Sequence, residues 1–287
     1  MALALIWNAF VRIPYPISPV KLFWMPACLL AVSAYCWIYR PQNHRVRDLT
    51  AYMGLWALFP AFGTLLTYLA VKAGFPLQDK LFVRFDAALR FPWVSMFNFV
   101  VSHPALHEGL RYVYEAVLWQ PFIINAVLIL GDQSERAAEL LTAILIGLFL
   151  TIGLFMLVPV NGPYATYGAN QYLAKIIAEV RSARPPPIHF AGIVAFPSFH
   201  TIMVTLYTWA NRGLKTFWPF LALNSVILMT VPIWGDHYLA DVLGGAVVAA
   251  IAIWAVSALQ GRAAEVRVRS WRYDEARQGR IRVRADL

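Results

Sequence analysis

Charge and cysteine are both scarce in this chain. Charged residues fill 14% of its 287 positions, and it has two cysteines, Cys28 and Cys36, which fall in one apolar run. So small a charged share beside 60% hydrophobic residues excludes an ordinary water-soluble domain and a disordered chain alike. Two cysteines inside a hydrophobic stretch exclude a disulfide framework and a thiolate metal site, and read as small packing residues. No repeat, low-complexity tract or soluble linker divides the sequence. MALALIWNAFVRIPYP lacks the basic start and small-residue cleavage site of a secretory leader, so no cleavable signal peptide is expected there.

Long apolar runs are what the chain has instead. Windows near 22–39, 51–73, 109–130, 139–160, 197–211, 216–234 and 238–260 approach the roughly 20 residues that cross a hydrocarbon core of about 30 Å. The expected fold is all-α, a polytopic membrane helix bundle of six core transmembrane helices. An additional N-terminal helix precedes them, in a region interrupted by Pro14, Pro16, Pro19 and Pro26. Three parts follow: residues 1–50 as N-terminal helix and basic loop, 51–260 as membrane core, and 261–287 as basic tail. Segment 75–108 mixes apolar residues with Asp79, Lys80, Arg84, Asp86 and Arg90, as an amphipathic surface helix would.

Basic residues outnumber acidic ones 24 to 15. After Gly261 come Arg262, Arg267, Arg269, Arg272, Arg277, Arg280, Arg282 and Arg284, which mark a cytoplasmic tail. Threading the spans in order puts Arg40, Arg45, Arg47, Arg212 and Lys215 on that side and segments 74–108 and 161–196 on the outer one. Anionic lipid headgroups are the plainer partners of such a tail, and nucleic acid is not expected. The expected location is a bacterial inner membrane with the site on its outer face.

The chemistry concentrates in two stretches. In FPSFHTIMV, Ser198 stands after Pro197 and before an apolar run, as a helix N-cap that places His200 in the first turn. Free N–H groups and the positive dipole end there favour phosphate. In WGDHYLADVLGG, His237 and Asp241 are four residues apart and share a helix face, so the carboxylate can fix the imidazole tautomer and leave one nitrogen free to attack. An isolated HxxxD is common; the pairing is what informs. The 37 residues from His200 to His237 correspond to about 55 Å of helix, one crossing out and one back, so both histidines return to one membrane face. Nucleophile, orienting base and proton donor at one depth suit phosphoryl transfer through a phosphohistidine.

PSFH followed by GDHYLAD resembles the second and third motifs, PSGH and SRxxxxxHxxxD, of the type 2 phosphatidic acid phosphatase superfamily. The resemblance implies a six-helix membrane core with His237 as nucleophile, Asp241 as its partner, His200 as general acid and the Ser198 region around the phosphate. No metal and no cofactor are expected, because the histidines and loop cations would do the work. The chain departs from the pattern at Thr230 and Val231, where the family has Ser-Arg, and Lys175 and Arg184 stand two residues too far apart for the first motif, KxxxxxxRP. A missing arginine and HYLADV resemble the branch of inositol phosphorylceramide synthase and sphingomyelin synthases. A diester carries less charge than a monoester, so losing a guanidinium costs less with a diester donor.

The expected activity is therefore transfer of a phosphoryl-headgroup or phosphoryl unit from a lipid phosphodiester to a lipid or polyol hydroxyl. Hydrolysis of a lipid phosphomonoester or pyrophosphate is the alternative enzyme; a transporter or scaffold with relic histidines is the non-enzymatic one. Lys175, Arg181, Arg184, Asn161 and Tyr164 are candidate substrate-binding residues. His103 and His107 with Glu108 look superficially like a metal pair, but a proline lies between them and interfacial packing is the default. Arg111 and Glu115 are expected either to pair or to serve the site, and Gly244 and Gly245 to allow close helix packing.

Overall fold

The computed structural model of the protein describes residues 19–182 and 192–261; Arg184 and the arginines beyond Gly261 lie outside them. Among the described residues all regular structure is helical. The described residues begin with two helices, α1 (Pro19–Tyr39) and α2 (His44–Lys72). Three short ones follow, α3 (Asp79–Ala88), α4 (Trp93–Val101) and α5 (Pro104–Glu115), and a 3-10 turn (Ala116–Leu118) leads into α6 (Gln120–Leu130). Next come α7 (Ser134–Leu157), the small α8 (Pro163–Thr166) and α9 (Tyr172–Arg181). The last three among the described residues are α10 (Phe199–Ala210), α11 (Phe217–Trp234) and α12 (Leu239–Gly261).

Of these, α2, α7, α11 and α12 are long and apolar enough to cross a membrane. The stretch from α5 to α6 makes a fifth span if its 47° bend is counted as one crossing. That bend falls where Pro121 enters the first turn of α6, removing the N–H that would have carried the helix through. The sixth core segment is shorter than expected. At 12 residues, α10 is about 18 Å long. It begins at the Pro197-Ser198 break and ends at Asn211, whose side-chain amide bonds back to the Tyr207 carbonyl at 2.9 Å.

Segment 75–108 differs from the single amphipathic helix expected of it. Arg90 takes a left-handed φ of 53° just before Pro92, and Pro104 starts a new helix after His103, so the stretch divides into α3, α4 and the start of α5. Arg111 pairs with Glu115 at 3.0 Å and Glu108 at 2.8 Å, which resolves its role as helix-surface pairing. His103 bonds to the Phe99 carbonyl and His107 packs on Trp234; no cluster able to hold a metal occurs among the described residues.

The main core gathers residues of α2, α6, α7, α10, α11 and α12 around Ile124, Leu128, Ile144, Val204 and Ile227. One end of the bundle is tied by charge. Arg45 pairs with Asp132, Arg212 pairs with Glu139, and Gln260 bonds to the same carboxylate. The basic connectors thus share an end with the start of α7 and the finish of α12. At the opposite end Asp79 accepts from the backbone N–H groups of Asn161 and Gly162 at 2.9 and 3.1 Å, joining α3 to the turn before α8.

Candidate functional site

Ser198 caps α10 as its position suggests: its hydroxyl accepts from the Thr201 N–H at 3.3 Å, fixing the first turn on which His200 sits. The cap is itself held by α12, because the Ser198 N–H donates to the Asp241 carbonyl at 3.0 Å. The two helices meet closely enough that a Cβ on Gly245 would lie 2.5 Å from the Ser198 carbonyl oxygen. This contact couples the turn carrying His200 to the residue facing His237.

His237 lies between α11 and α12, 2% exposed, with Nδ1 3.3 Å from Oδ2 of Asp241. That oxygen also accepts from the Tyr238 N–H at 2.8 Å, so the carboxylate is anchored before it meets the ring. Burial pushes the His237 imidazole down to about 3, with the Ala195 backbone acting in the opposite direction, so the ring is neutral at neutral pH. A carboxylate can only accept. An ionised Asp241 would hold the proton on Nδ1 and leave the lone pair on Nε2. His200 shares a hydrogen bond between its Nδ1 and the hydroxyl of Tyr114, 3.1 Å away, and the two rings stack with centroids 4.4 Å apart.

Both histidines line one cavity of about 230 Å³. Its wall is mostly apolar, with Trp56, Phe59, Met203 and Tyr207 reaching into the bundle and Tyr114 and Gly235 beside the imidazoles. A second cavity of about 230 Å³ adjoins it and shares Tyr114, Gly192, Val194 and Gly235 as a common wall. This one is lined also by Tyr164, Asn170, Tyr172, Trp234 and Asp236. The arrangement offers an apolar chamber that holds the imidazoles and a more polar one that meets it at Tyr114 and Gly235.

The other candidates are spread more widely. Tyr164 lines the second cavity; its N–H donates to Asp236 at 2.6 Å and its hydroxyl to the Ile233 carbonyl. Asn161 is half-buried and lines neither cavity, and its backbone serves Asp79. Lys175 is exposed on α9. Arg181 donates to the Val71 and Phe75 carbonyls at 3.3 and 2.8 Å, tying α9 to the end of α2, and lines neither cavity. Thr230 bonds to the Ile227 carbonyl inside α11 and Val231 lies wholly buried in the core, so neither position supplies a cation.

Three residues that matter to this geometry were not singled out from the sequence. Asp86 on α3 is 2% exposed and accepts from the N–H groups of Leu239 and Ala240 at 3.1 and 3.3 Å, capping α12 from another helix. Burial raises the Asp86 carboxyl above the usual range while these two donors oppose the rise. Gly235 makes room for the His237 ring, and Tyr114 meets His200. A carboxylate within an otherwise amphipathic stretch was the available signal for Asp86; for Tyr114, 86 residues from its partner, the sequence offers none.

A model described as PAP2 superfamily matches residues 80–255, well over half of the chain. The chain belongs to the PAP2 superfamily. Membership in the PAP2 superfamily makes it a lipid enzyme of the phosphatase or phosphotransferase type, in keeping with its apolar spans. The match begins within α3 and ends within α12, so it takes in Asp86, Tyr114, both histidines and Asp241. No curated protein and no solved structure matches the chain significantly.

Proposed function

We propose that this PAP2 superfamily member moves a phosphoryl-headgroup or phosphoryl unit from a lipid phosphodiester to a lipid or polyol hydroxyl through a phosphohistidine at His237. The observation that carries the reading is the buried His237–Asp241 contact of 3.3 Å in a cavity whose wall also holds His200. Nε2 of His237 attacks phosphorus, and the bond to the leaving oxygen breaks as His200 protonates that oxygen. In the second half-reaction the acceptor hydroxyl gives its proton to His200 and its oxygen takes the phosphoryl group, returning the electron pair to His237. The N-terminus of α10, opened by Ser198, is the element that faces the anion.

A diester donor is favoured by what occupies the positions of the departed motif. Val231 is sealed in the core and Thr230 bonds within its own helix, so the guanidinium that would balance a dianionic monoester has no counterpart there. The apolar chamber suits hydrocarbon and the adjoining one a hydroxyl-bearing group. In this reading the site end faces the outside of the membrane and the Arg45, Arg212 end faces the cytoplasm.

The test is transfer in reconstituted vesicles containing a headgroup-labelled diester lipid and an unlabelled hydroxyl lipid. Label appearing in the second lipid, and absent with His237→Ala, supports the proposal. Release of inorganic phosphate from monoesters alone assigns a phosphatase instead.

A further inference from the structure

The two histidines of the site have unlike partners. Asp241 faces His237, whereas His200 meets a phenol, Tyr114 of α5, at 3.1 Å and beneath a stacked ring. We propose that Tyr114 is a positioning residue for His200: its hydroxyl holds the proton on Nδ1, and its ring aims Nε2 at the cavity both side chains line. The inference rests on the reading of His200 as the acid and base of the reaction.

The choice of partner has a chemical consequence. A carboxylate stabilises imidazolium and raises the basicity of the ring it faces, as an attacking nitrogen requires. A neutral phenol orients a ring without adding that charge, so His200 stays the weaker base of the pair and surrenders its proton more readily. While His200 is imidazolium, Nδ1–H donates to the Tyr114 oxygen and Nε2–H faces the leaving group. As phosphorus bonds to His237 and the leaving oxygen departs with the bonding pair, that oxygen takes the Nε2 proton. His200 is then neutral, with its remaining proton on Nδ1 still shared with Tyr114 and a lone pair on Nε2. That lone pair accepts the proton of the incoming hydroxyl, which restores the starting state. One tautomer, held by one hydroxyl, serves both half-reactions.

Stacking supplies the second half of the argument. At a centroid separation of 4.4 Å and an interplanar angle of 23°, the phenol ring covers one face of the imidazole and resists its rotation about the Cβ–Cγ bond. Tyr114 also forms part of the wall the two cavities share, so the same side chain fixes where the reacting nitrogen of the first cavity stands relative to that wall.

The experiment compares Tyr114→Phe with the unmodified protein in mixed micelles on two probes, a p-nitrophenyl phosphodiester and a dialkyl phosphodiester lipid. Protonation matters little to a p-nitrophenolate leaving group and greatly to an alkoxide. The variant keeps the stacked ring and loses the hydroxyl. The expected loss on the alkyl probe is about 10²-fold, within the range of general acid catalysis, and at least tenfold smaller on the nitrophenyl probe, with a displaced alkaline limb of the pH–rate profile. Equal losses on both probes with an unmoved profile would overturn the proposal and leave Tyr114 a packing residue. A readout free of turnover is the ¹⁵N spectrum of labelled His200. Taken on the alkaline side of the profile, where His200 has given up its second proton, it should show the imidazole protonated at Nδ1 in the unmodified protein and a shifted tautomer ratio in Tyr114→Phe; protonation at Nε2 in both would refute the assignment. His237→Ala separates the two levels, because turnover surviving in that variant defeats the phosphohistidine reading whatever Tyr114 does.

Discussion

Gly235→Ala puts the smallest available perturbation next to the nucleophile. A Cβ at this position would lie 2.4 Å from Cδ2 and 3.1 Å from Nε2 of His237, and 2.6 Å from the Val231 carbonyl oxygen. Carbon atoms rest about 3.5–4.0 Å apart, so the imidazole or the backbone must yield by roughly 1 Å. The carbonyl on the other side belongs to a helical turn, which leaves the ring as the softer neighbour. Its displacement stretches the 3.3 Å contact with Asp241 and moves Nε2 off the line of attack. A misplacement of about 1 Å at a reacting centre costs on the order of 10² in rate, while overpacking costs about 1–3 kcal/mol of stability. The assay is initial-rate headgroup transfer in reconstituted vesicles beside thermal unfolding in detergent. Gly153→Ala is the control, since a Cβ there meets nothing within 4 Å. Gly235→Ala turning over at the unmodified rate with a normal melting profile would refute the claim that the position of this ring governs activity.

Other consequences follow from carboxylates outside the spans. Asp86→Ala removes both acceptors from the first N–H groups of α12, and a lowering of stability by about 1–3 kcal/mol in chemical denaturation is expected, with Asp86→Asn milder. Burial raises the Asp236 carboxyl from 3.8 to about 7, so the folded protein holds a proton that the unfolded chain releases. Its contribution therefore makes stability fall as pH rises from about 4 to 7 and level off above, and Asp236→Asn, which keeps an acceptor for the Tyr164 N–H, should flatten that decline in melting curves taken across the range.

Much of the fold was legible because hydrophobic runs and proline breaks are local signals. The long helices α2, α7, α11 and α12 each coincide with an expected apolar window, and Ser198 caps α10 where a serine before an apolar run should. The runs did not disclose that α10 would stop at 12 residues or that the fifth span would bend at Trp119, because apolar composition continues through both points. The composition of segment 75–108 suits one surface helix; its division depends on a left-handed Arg90, which periodicity does not register. In the site, the His237–Asp241 pair is separated by one helical turn and was visible as spacing. Tyr114 and Asp86 act across 86 and 153 residues, and only packing brings them in. Arg181 shows the converse: a cation in the right segment that the fold spends on the Val71 and Phe75 carbonyls.

The most direct measurement is a rapid quench of the protein with a radiolabelled phosphodiester lipid, held alkaline to preserve a phosphoramidate bond, followed by peptide mapping. Label on the peptide carrying His237, absent in His237→Ala and much reduced in Asp241→Asn, is the predicted result. Label on His200, or on no histidine while transfer proceeds, would contradict the account.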